Sequence, residues 1–227
     1  MNGSSFLRVS AQIIHLGAEP GPRRSTWSEA RSTGLASKIA WSAGDGTLVN
    51  AQRASGSSGI MATVGYELRA LVGQAKAIDL AVSQATASSV TLSQGLALLP
   101  LPDELFDRLG GGEHVVFGDA FYYLSSGIQI LARSASAISP VAYLEADLFG
   151  GCGTQAAVAW ADGKLSLGPI VTVFEPTAPP PASRPEWAFN RVLRQLGAET
   201  GESIDEFAAV GLGGSRRSTL DWTNTEH

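Results

Sequence analysis

The chemistry open to this sequence is concentrated in a glycine-rich turn, a pair of strand carboxylates and a short basic turn. Residues 149–154 read Phe-Gly-Gly-Cys-Gly-Thr. Glycines such as Gly150 and Gly151 let the backbone take positive φ and approach a ligand, and successive amides there can form an anion nest. The segment lacks the Gly-Lys-Ser/Thr ending of a phosphate loop and joins two strands, so a tight hairpin connection is the plainer expectation. Cys152, the chain's lone cysteine, lies in this turn. An exposed thiol is a nucleophile when a general base is within reach, and His114 is the candidate base. No local motif links the two.

Glu145 and Asp147 stand two positions apart on an alternating segment, which places their carboxylates about 7 Å apart on one strand face. That separation suits acids flanking a glycosidic bond or holding a hard metal ion. Alternate acids on a strand equally describe the solvated face of a sheet. Tyr143 extends the same face, which favours a polar, aromatic binding surface over a metal cage. Arg216 and Arg217, after Gly213, Gly214 and Ser215, can grip a partner's carboxylate or phosphate or remain as solvated tail charges. Phe121, Tyr122 and Tyr123 read as core with one exposed tyrosine, a common binding anchor. The three histidines, His15, His114 and His227, are scattered, so neither a metal site nor a cofactor is expected.

Charge divides the chain near Met61. Six of the 16 basic residues and three of the 21 acids precede it, leaving a body with ten basic residues against 18 acids. An acidic body without a basic stripe cannot neutralise a phosphate backbone, which argues against nucleic acid as a partner. One cysteine excludes an internal disulfide and suits a reducing, cytoplasmic setting. No apolar run approaches the roughly 18 residues that a membrane span needs. Residues 1–60, rich in Ser, Gly and Arg, are expected to be disordered or to lie upstream of a natural start at Met61, because their hydrophobic density is too low to offset chain ordering. Trp27 and Trp41 are the residues that would instead favour a docked arm.

The elements that must position these groups follow from periodicity. Residues 62–71 alternate as a strand, and 74–87 suit a helix or an irregular segment more than a second strand after a turn at Gly73. An apolar run at 96–99 is closed by Pro100 and Pro102, with Asp103 as N-cap of a helix to Leu109. A brief strand at 114–117 and a helix at 120–136 capped by Asp119 come next. Residues 141–149, 155–160 and 164–167, with Asp162-Gly163 as a hairpin turn, form a three-strand meander. A Pro-rich connector at 176–185 leads to helices at 186–196 and 204–210. Strands at both ends, without strand-helix-strand repeats, define an α+β domain over residues 61–227. A mostly antiparallel sheet with helices on one face is expected.

Residues 143–147, Phe149-Gly150-Gly151, Gln155-Ala156-Ala157, Trp160 and the stretch Phe207 to Gly213 resemble a group of small uncharacterised actinobacterial proteins. The resemblance covers much of the chain from Met61 onward. It implies a compact cytoplasmic domain and supports Met61 as the start, and it brings no activity with it.

Three functions remain open. One is a non-enzymatic, acidic interaction module, of the immunity or antitoxin sort, meeting a basic protein through Tyr143, Glu145, Asp147 and the glycine turn. Another is a small enzyme using Cys152 with His114, or Glu145 with Asp147. The third is a homo-oligomer paired through an exposed meander edge.

Overall fold

The computed structural model describes residues 65–110, 116–175 and 183–223. The chain divides into two units, Met1–Arg53 and Ala54–His227, and every described residue belongs to the second. The expected disordered segment 1–60, the start at Met61, both tryptophans before it and His114 lie outside the described residues.

The α+β expectation holds. The strands are β1 (Tyr66–Gln74), β2 (Val90–Thr91), β3 (Leu96–Pro100), β4 (Val141–Phe149), β5 (Cys152–Ala161) and β6 (Lys164–Phe174). They form one sheet in the order β2-β3-β1-β4-β5-β6, with every pairing antiparallel. The helices are α1 (Ala75–Ala85), α2 (Asp103–Arg108), α3 (Ser126–Ala135), α4 (Ala188–Gln195) and the single turn α5 (Glu206–Ala209).

Helices cover both faces of the sheet, not one. Leu68, Ala70, Val72, Leu144, Ala146 and Ala157 point to one side, where Phe189, Val192 and Leu193 of α4 and Phe207 of α5 pack on them. Leu71, Leu99, Tyr143, Val158 and Trp160 point to the other, against Ile78 of α1, Phe106 of α2 and Ile128 and Leu131 of α3. The cause is in the strands themselves. Apolar residues at both parities require cover on both sides, because each exposed Leu- or Val-sized side chain forgoes about 1.5–3 kcal/mol of burial.

Local chemistry sets the joints. The β5–β6 turn at Asp162-Gly163 has φ of 51° and 71°, the two positive angles of a type I′ hairpin. Helix α3 begins later than its periodicity suggests: Ser125 caps it by accepting from the Ile128 amide at 3.2 Å. Asp119 sits instead in a 3-10 turn (Gly118–Ala120). Pro102, not Asp103, occupies the N-cap of α2, and Asp103 falls in its first turn. Val116 and Phe117 form a turn rather than the end of a strand.

The segment after α5 returns to the sheet. Beyond the reach of β3, the start of β1 is completed by this arm: Glu67 N donates to Arg217 O at 2.8 Å, and Arg69 N donates to Thr219 Oγ1 at 2.9 Å. The arm closes in a capping box in which Ser218 Oγ accepts from the Asp221 amide and Asp221 Oδ2 accepts from the Ser218 amide. Trp222 is buried beneath it. Ser218→Ala is expected to cost about 1 kcal/mol, measured as a shift in the urea midpoint. Hydrogen bonds from the Arg217 and Ser218 amides hold the Asp221 carboxyl below its ordinary range. Its contribution is present above the unfolded carboxylate range and fades as pH falls through the lowered value.

Candidate functional site

Direct cross-strand pairing sets side chains in rows on the face that carries α1, α2 and α3. Leu71, Tyr143 and Val158 form a row under the helices. Next to it run Arg69, Glu145, Ala156 and Val171, and then Glu67, Asp147, Thr154 and Val173. Phe149 and Cys152 complete the end. The helices stop short of these last rows.

Glu145 marks the boundary of the covered region. Its Oε1 accepts from the Tyr122 amide at 2.8 Å, and its Oε2 accepts from the Tyr123 amide at 3.1 Å and from the Tyr143 hydroxyl at 2.8 Å. Burial pushes its carboxyl above the usual range, although these three donors and Arg69 pull the other way. Burial, reinforced by Glu145, holds the Tyr143 phenol well above its ordinary value. Phe121 packs edge-on against the Tyr143 ring at 5.5 Å.

Arg69, cross-strand from Glu145, is itself buried. Its Nε donates to Glu67 Oε1 at 3.1 Å and its Nη1 pairs with Asp103 Oδ1 at 2.8 Å. Its guanidinium also lies 4.5 Å from the centre of the Tyr123 ring. Thr219 Oγ1 donates to Glu67 Oε1 at 3.1 Å. A network thus joins β1, α2, the 121–124 segment and the arm. Its cation is already committed to two carboxylates.

These facts relocate the residues predicted from sequence. Tyr143 and Glu145 are buried, contrary to the expected solvated face, because Phe121 to Leu124 closes over them. Buried and held by three donors, Glu145 fastens the 121–124 segment to β4. Asp147 on the next row is exposed. Gly150 and Gly151 form the outer turn with φ of 60° and 84°. Cys152 is partly exposed, with Sγ 3.8 Å from Gly150 O, and its proposed base lies outside the described residues. Arg216 stacks 4.8 Å from the centre of the Trp222 ring, and Arg217 lends its backbone to β1 and Asp221. The pair thus belongs to the arm.

The uncovered end is apolar and acidic. Phe149 and Tyr122 are each 67% exposed, and Val173 and Val171 are 46% and 43% exposed. Asp147, Asp119 and Glu175 are exposed carboxylates of the same region. Among the described residues, no group of three or more His, Cys, Asp or Glu is placed to hold a metal ion. Nor is any helix among them long and apolar enough to cross a membrane. A separate open groove of about 240 Å³ lies between the end of α1, α2 and Trp222. Its cation, Arg108, is occupied in donating to Ala85 O at 2.7 Å.

Among the described residues, the fold and surface thus define an antiparallel sheet clad by helices on both faces, with one acidic, apolar end left uncovered. Comparison with protein-family models, curated proteins and solved structures gives no match for this chain.

Proposed function

We propose that this chain is a non-enzymatic protein-interaction module of the immunity or antitoxin sort, receiving a basic partner protein on the open end of its sheet. The observation that supports this reading is the row Glu67, Asp147, Thr154 and Val173 left outside the helical cover, with Phe149 beside it. Exposed aromatic and β-branched side chains supply contact area that becomes dry on binding. The surrounding carboxylates steer a cationic partner and reject an anionic one. Compared with the face expected from sequence, Asp147 and the glycine turn remain, while Tyr122 and Phe149 replace Tyr143 and Glu145 as the aromatic and rim contacts.

The test is capture from an extract of the native host by the tagged chain and by the double variant Asp147→Lys, Phe149→Ser. A basic protein retained by the parent at low salt, lost from the variant and weakened as salt shortens the Debye length to about 3–5 Å, is the expected result. Equal retention by both, or no basic protein on the parent, refutes the assignment.

A further inference from the structure

The strand β6 is the outermost on its side of the sheet and runs for 11 residues. Its two halves differ. The first carries Lys164 and Pro169, which has no N–H to offer, and its register with β5 shifts between Ala157 and Trp160. The second, residues 170–174, reads Ile-Val-Thr-Val-Phe, a run of strand formers with none of the lysines or prolines that usually block a sheet edge. Among the described residues, no backbone hydrogen bond from outside the sheet ladder reaches residues 164–174.

This half is also held in shape. Thr172 is buried on the opposite face, where its Oγ1 accepts from the Ala188 amide at 2.9 Å, and Phe174 packs edge-on against Trp187 at 5.0 Å. Val171 and Val173 face the other way and remain exposed. An incoming strand therefore meets a preordered edge, which lowers the ordering cost of binding.

Charge selects the occupant. Asp119 lies in the 3-10 turn that packs beside β6, and Glu175 follows the strand directly. A second copy pairing its own residues 170–174 antiparallel with these would double those carboxylates and leave its Lys164 beyond the paired run, whereas a basic chain neutralises them. We infer that an extended segment of a basic partner adds to the sheet along residues 170–174. Its apolar side chains lie beside Val171 and Val173, and its Lys or Arg side chains reach Asp119 and Glu175. This mode of recognition rests on the reading of the chain as a protein-interaction module, and gives main-chain affinity with side-chain selectivity.

A capped synthetic peptide of alternating lysine and valine serves as the probe, with amide exchange of the full chain followed by NMR. At saturating peptide, the outward-pointing amides of residues 170–174 should exchange at least about tenfold more slowly. The effect should vanish when one edge of the peptide backbone is N-methylated. It should also vanish in Val173→Lys, an exposed substitution expected to leave the urea midpoint in place. Strand addition is overturned if the N-methylated peptide acts equally, if the peptide perturbs Asp147 and Phe149 without residues 170–174, or if nothing changes. Concentration-dependent protection of the same amides without peptide overturns it in favour of a second copy. All of these outcomes leave the module itself to be judged by the capture experiment.

Discussion

Glu145→Leu is expected to destabilise the protein by about 3 kcal/mol, because it strips the acceptor from the Tyr122 and Tyr123 amides and from the buried Tyr143 hydroxyl at once. Tyr143→Phe should cost only about 1 kcal/mol, and almost nothing once Glu145 is gone. Urea unfolding of the two single variants and the double variant measures that coupling. Additive losses would show that the carboxylate and the phenol act independently.

The same residue gives a signature in pH. Burial raises the Glu145 pKa in the folded state, so the folded chain holds a proton that the unfolded chain releases. Stability from this group is therefore complete below the ordinary carboxylate range of about 4.3 and is lost as pH rises through the raised value. Asp221 acts in the opposite sense. Comparing parent and Glu145→Gln isolates the falling limb, which the variant should lack.

Gly153→Ala should cost about 3 kcal/mol or more, well above Gly150→Ala or Gly151→Ala. Gly153 opposes Leu148 at the start of the β4–β5 hairpin with φ of 127°. A Cβ there would fall onto the Asp147 carbonyl oxygen and come within 3.0 Å of Leu148 Cα, both parts of a backbone that cannot turn aside. At Gly150 and Gly151 a Cβ meets open space. Only the positive φ is then at issue, at about 1 kcal/mol each. Three urea midpoints settle the order, and equal losses would contradict this account of the turn.

The meander was legible because its signals are local: Asp162-Gly163 names its own turn type, and alternation through residues 141–149 marks a strand wherever the chain goes next. The same alternation misleads about the face. Tyr143 and Glu145 read as solvated because polar residues at one parity usually meet water. Here Phe121 and Leu124 cover them, from a segment that contributes two amides as donors. Nothing near Glu145 in sequence announces that two of its three hydrogen-bond donors lie more than 20 positions upstream. Arg69 and Thr219 were missed for the same reason, being joined across 150 positions. The helix starting at Ser126 was displaced in the sequence reading because Asp119 is an equally good cap on chemical grounds. Only the packing of Phe121 and Leu124 decides between them. Of the open end, Asp147 and an exposed tyrosine were visible in advance, although Tyr122 and Tyr123 are both exposed where only one was expected. The edge formed by residues 170–174 was not, since membership of an edge is a property of strand order.

The closure of β1 by the late arm bears on how the protein is made. A ribosome delivers Glu67 and Arg69 long before Arg217 and Thr219, so the nascent sheet leaves two amides at the start of β1 to water until the arm arrives. Chaperone engagement with the nascent chain should therefore persist until residues 217–219 have left the ribosome and docked on β1, and subside soon afterwards.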